Sequence, residues 1–127
     1  MAERTPESQS CHDNLIKQLA DSLISRKFRN VRADHPDFPE KPFRVTMELS
    51  TEGEVPDVTA VGIQQVLFEV ETDDSINDPH IDGQWRLFAT YADRNSAEFW
   101  VVVPKAKKFE AQERMMHLGL DAKVIGL

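Results

Sequence analysis

The sequence predicts an α/β fold: a mixed β-sheet of about five or six strands flanked by helices, in the order α-β-(β)-β-β-α-β-α-β. Three observations carry that expectation. Residues 43–50 alternate strictly, with Phe43, Val45, Met47 and Leu49 against Arg44, Thr46, Glu48 and Ser50, which is the period of a half-buried strand. Two β-rich runs, Val55–Val61 and Val66–Thr72, are separated only by Gly62-Ile63-Gln64-Gln65, so they read as a hairpin. Beyond them, helical and strand patterns alternate to the end of the chain, which calls for crossover helices between parallel strands.

In chain order, Met1 to Gln9 is polar, contains Pro6, and is expected to be a disordered tail. Ser10 with Asp13 resembles a helix N-cap, and Leu15, Leu19 and Leu23 continue at helical spacing, giving a first helix over 11–28. A short strand is expected over 30–34. Pro36, Pro39 and Pro42 exclude regular structure in the segment that follows. After the alternating strand, Thr51-Glu52-Gly53-Glu54 makes a turn into the hairpin. Asp78-Pro79 opens a second helix whose apolar face is Ile81, Trp85, Phe88 and Ala92. Phe99-Trp100-Val101-Val102-Val103 is apolar without a break and suits a strand buried on both faces. Ala106, Phe109, Glu113 and Met116 mark a third helix ending at Gly119, and Ala122–Leu127 is a last strand. At 127 residues the whole is expected to be one domain, with no internal repeat.

Composition narrows the function. The chain carries 15 Lys and Arg against 22 Asp and Glu, a net charge of −7. That balance argues against broad, non-specific binding to phosphate backbones, although a local basic patch is compatible with it. The single Cys11 permits no internal disulfide, so a cytoplasmic location is expected. There is no apolar run near the roughly 18 residues of a membrane span and no secretory signal, so no membrane partner is expected. His12, His35, His80 and His117 show no metal-ligand spacing.

The chemistry gathers in the hairpin. Side chains alternate along a strand, so Glu69 and Glu71 share one face while Phe68 and Val70 share the other. Folding the hairpin about its turn brings Asp57 close to opposite Glu69 or Val70. Acids on otherwise apolar strands are costly unless a cation sits among their oxygens. Lys105 stands just past the end of the buried strand, and a right-handed crossover would put that end on the same side as the acids. The plainer reading is that Asp57 is a turn residue after proline and that Glu69 and Glu71 face solvent on an edge strand. Trp85, Phe88, Phe99 and Trp100 are read as packing.

Pro56-Asp57, then Glu69-Val70-Glu71 at the end of the next strand, with a helix, strand and αβ unit around them, is similar to the PD-(D/E)XK superfamily of restriction-endonuclease-like nucleases. Gln84 resembles the helical glutamine that some branches add to the site. The resemblance implies a restriction-endonuclease-like domain over 1–127 that hydrolyses phosphodiesters in nucleic acid with Mg²⁺ or Mn²⁺. It places Asp57, Glu69 and the carbonyl of Val70 as metal ligands, and it implies a possible homodimer. The lysine of the motif is replaced by Glu71, so a lysine from elsewhere would have to fill the role. Lys105 is the candidate, whereas nothing in the spacing places Lys41 or Lys17. Two functions are therefore expected in competition: a metal-dependent nuclease using Asp57, Glu69, Glu71, Gln84 and Lys105, or a catalytically degenerate domain that binds a protein partner.

Overall fold

The computed structural model describes residues 4–46 and 53–127. They form an α/β unit in which a mixed five-stranded sheet is covered on both faces by helices. The elements are α1 (Pro6–Ser25), β1 (Arg29–Ala33), β2 (Val45–Thr46), β3 (Gly53–Glu54), β4 (Val58–Val61), β5 (Gln65–Val70), α2 (His80–Arg94), β6 (Glu98–Val103), a 3-10 turn (Lys105–Lys107), α3 (Lys108–Leu118) and β7 (Lys123–Gly126). No helix among the described residues is long and apolar enough to cross a membrane.

α1 begins one turn earlier than the sequence reading places it, so residues 6–9 belong to a helix and not to a tail. Thr5 is the N-cap: its side chain accepts from the Ser8 N–H at 3.1 Å, and Pro6 follows with its φ already suited to a helix. At the other end, Lys27 adopts a left-handed φ of 70° and Phe28 N–H donates to Leu23 O, which stops the helix before residue 28. The buried stripe of α1 includes Leu15, Ile16, Leu19 and Leu23, and it packs against Val58, Ala60, Val66, Phe68, Val70 and Val102 from one face of the sheet.

The sheet order is β1-β4-β5-β6-β7. β4 and β5 form the expected antiparallel hairpin, with Val58 opposite Phe68 and Val61 opposite Gln65. β5-β6 and β6-β7 are parallel, and α2 and α3 are their crossovers on the second face. Ile81, Trp85, Phe88 and Ala92 of α2 are all buried there with Leu67, Phe99, Val101 and Val103.

Three differences from the sequence reading have physical causes. The described part of the 43–50 strand, Val45–Thr46, does not join the main sheet; it pairs with β3 as a separate two-stranded ribbon, and β1 takes the place beside β4. The rest of that strand, 47–50, and residues 51–52 of the turn lie outside the described residues, as do residues 1–3 of the tail. In β6, Trp100 is only half-buried: its ring packs at the margin of the α1-side cluster, with Lys123 Nζ 4.8 Å from the ring centroid. On α3 the residues that face the core are Ala111 and Met115, whereas Phe109 and Met116, two of the residues that marked the helix in the sequence, are exposed. Gly119 ends that helix with φ 67°, as a left-handed cap should.

Candidate functional site

The ends of β1, β5, β6 and β7 and the start of β4 lie along one edge of the sheet, and the acids stand there. The hairpin register decides this. Gly62 leaves room for the Phe28 ring, which a Cβ there would meet at 2.8 Å, and across the turn Val61 faces Gln65. Counting from Val58 opposite Phe68, Asp57 stands beside Glu69. Two bonds fix the pair: Val70 N–H donates to Asp57 Oδ2 at 2.7 Å, and Asp57 N–H donates to Glu69 Oε1 at 3.2 Å.

From the opposite face, α1 delivers His12, whose Nε2 lies 3.3 Å from Asp57 Oδ2. The imidazole is buried, and its Nδ1 has no hydrogen-bond partner among the described residues. Glu71, just past β5, is held differently. Trp85 Nε1 on α2 donates to its Oε2 at 3.1 Å, and Ser75 Oγ donates to its Oε1 at 2.8 Å. Both oxygens of Glu71 are therefore occupied.

The electrostatics follow from burial and crowding. Burial pushes Glu69 well above its ordinary value, and the charges of Asp57 and Glu71 push it further. Burial, then the charge of Asp57, raises Glu71 to about 7 despite its two hydrogen bonds. For Asp57 burial also pushes upward, but His12, the hydrogen bond from Glu69 and the Val70 N–H outweigh it, and its carboxyl is lowered. Burial pulls His12 down, but contact with Asp57 outweighs that and raises it. The surroundings therefore favour the ionised form of Asp57 and the protonated form of Glu69 beside it.

These groups form the floor of a cleft of about 830 Å³. Its walls add Glu54, Asp74, Asp78 and the basic side chains Arg4, Arg44 and His80. Gln84 lines the cleft, but its Nε2 donates to Glu54 Oε2 at 3.3 Å, towards the β2-β3 ribbon. Lys105 does not line it: it is exposed at the start of the 3-10 turn, its backbone N–H donating to Leu127 O and its Cα packed over Gly126. Among the described residues no lysine lines the cleft, Lys17 and Lys41 included; Lys17 pairs with Asp37 at 3.3 Å and Lys41 donates to His35 O. The structure therefore brings Asp57, Glu69, Val70, Glu71 and Gln84 to one place and leaves Lys105 outside it.

His12 and Ser75 are the contributors that spacing rules passed over. His12 carried a readable signal, a polar residue on the buried stripe of Leu15, Ile16 and Leu19. Ser75 carried none, because its position depends on the fold of an irregular loop.

Mg²⁺ commonly takes only one or two protein carboxylates and fills its remaining sites with water and phosphate oxygens. Asp57 and Glu69 offer hard oxygen donors of that kind side by side at the sheet edge. Among the described residues no group of three or more His, Cys, Asp or Glu side chains is arranged to hold a metal ion. The donor set thus fits a two-carboxylate site, not a closed protein cage. No protein-family model matches the chain, and no curated protein or solved structure matches it.

Proposed function

We propose that the protein is a metal-dependent phosphodiesterase of the restriction-endonuclease-like type, acting on nucleic acid at the Asp57–Glu69 pair. The observation that carries this reading is the pairing itself: a buried Glu69 carboxyl on β5 and a partly buried Asp57 carboxyl just before β4, cross-linked through backbone N–H groups and opening into a cleft. A divalent cation bound there supplies Lewis acidity towards a phosphate and a more acidic water. Asp57 and Glu69 would hold it, with the Val70 carbonyl beside them, and Glu69 would ionise as the cation enters. His12 holds Asp57 ionised and aimed. Glu71 braces the floor between Trp85 and Ser75. Arg4 and Arg44 are the arginines that line the cleft wall, where a phosphate backbone would lie.

A second reading is favoured by a specific observation. With Glu71 in place of lysine, both its oxygens occupied, and no lysine lining the cleft, the site suits a domain that keeps the cation and its scaffold but binds without cleaving.

The test uses the purified chain with Mg²⁺ or Mn²⁺ and plasmid or single-stranded DNA, beside Asp57→Asn and Glu69→Gln. Metal-dependent melting that both substitutions abolish establishes the cation site. Cleavage that both abolish establishes the nuclease, and metal binding without cleavage establishes the second reading. No cleavage and no metal-dependent rise in melting temperature would sink both.

A further inference from the structure

The cleft wall formed by residues 72–79 has no regular secondary structure, yet it carries Asp74, Ser75 and Asp78 and sets the hydrogen bond on Glu71. What holds it in place comes from two sides. The α1 side supplies Arg4, which donates to Thr72 Oγ1 at 2.6 Å, and Ser8, which donates to Asp74 Oδ1 at 2.7 Å. The α3 side supplies one residue, Arg114.

The guanidinium of Arg114 spans the gap between α3 and the loop. Its Nη1 donates to Ile76 O at 2.9 Å and its Nη2 to Asp78 O at 3.3 Å. Its Nε donates to Asp82 Oδ1 at 2.8 Å, and Nη2 lies 2.6 Å from the same oxygen. Ile76 is buried, so its carbonyl needs a protein partner. A planar fork with five N–H donors reaches two carbonyls and a carboxylate at once, which an ammonium cannot do. Ile76 and Ser75 N–H groups both donate to Thr72 O, so gripping Ile76 also fixes Ser75, and Ser75 fixes Glu71 against Trp85.

We propose that Arg114, remote from the cleft floor, is a positioning residue for the candidate site, acting through the 72–79 loop on Ser75 and Glu71. Its effect on cation binding rests on the metal reading given above; its effect on the loop does not.

Two substitutions separate positioning from stability. Arg114→Lys keeps a cation beside Asp82 but cannot serve both loop carbonyls. Asp82→Asn weakens the ion pair but leaves the carbonyl contacts. Hydrogen exchange at the Ser75 and Ile76 amides is expected to quicken by about tenfold in Arg114→Lys, as for the loss of one buried hydrogen bond, and to stay near the parent rate in Asp82→Asn. In a Trp100→Phe background, where Trp85 is the only indole, Trp85 emission is expected to shift in Arg114→Lys alone. Calorimetry with Mn²⁺ is expected to show several-fold weaker binding in Arg114→Lys and parent-like binding in Asp82→Asn. Parent-like exchange in Arg114→Lys would overturn the proposal, as would exchange in both variants that merely tracks their melting temperatures. If the parent itself binds no Mn²⁺, the metal reading fails, while amide exchange still decides the role of Arg114.

Discussion

At the scale of single residues, Glu71 makes the sharpest forecast. Its carboxyl sits at about 7 in the folded chain, against 4.5 for an ordinary glutamate. Between those values the folded state binds more protons than the unfolded state, so stability falls as pH rises through the window. The contribution is fully present below 4.5, is lost above about 7, and amounts to about 3 kcal/mol. Glu69, raised by burial and its charged neighbours, acts in the same direction. Glu71→Gln keeps an acceptor for Trp85 and removes the charge that burial opposes. It is therefore expected to be more stable than the parent by about 1–3 kcal/mol at pH 8, and to show a flatter pH dependence. Urea unfolding at pH 5 and pH 8 checks this; an unchanged pH slope would mean that Glu71 is already ionised in the folded chain.

At the scale of elements, the start of α1 shows how local chemistry and context divide the work. The sequence reading starts the helix at Ser10 with Asp13, whereas the structure caps it at Thr5 with Pro6 following. Thr5→Ala removes the acceptor for the Ser8 N–H and is expected to cost about 1 kcal/mol, whereas Ser10→Ala, at an exposed position inside the helix, is expected to be neutral or slightly stabilising. Urea midpoints of the two variants settle which cap operates. α3 shows the opposite limit. Phe109 and Met116 are seven residues apart and share a helical face, yet Ala111 and Met115 are the ones buried. Helical periodicity identifies a face but not what lies opposite it, and here the smaller stripe meets the sheet.

At the scale of the whole molecule, β5 is the central strand, buried along Val66–Val70 between α1 on one face and α2 and α3 on the other. Leu67 is fully buried in the α2–α3 layer. Leu67→Ala is expected to cost about 3 kcal/mol in urea unfolding, the range for a core cavity, whereas Ile63→Ala at the exposed hairpin tip should stay within about 0.5 kcal/mol. Equal losses at the two positions would contradict the placement of the core. Because β5 carries both the core and the acids, such a loss should also weaken any cation binding at Asp57 and Glu69.

The sequence by itself determined what depends on near neighbours: the β4-β5 hairpin, the parallel crossovers through α2 and α3, the buried run of β6, and the approach of Asp57 to Glu69, which follows from turn length and the two-residue period of a strand. Only the tertiary structure decided the rest. His12 reaches Asp57 from a helix that precedes it by many residues, Trp85 and Ser75 take both oxygens of Glu71, and β1 stands beside β4 while Val45–Thr46 pair with β3 instead. Lys105 shares the sheet edge with the acids yet packs over Gly126, away from the cleft. Strand order and side-chain direction at an edge are set by packing between distant segments, and local patterns carry no term for that.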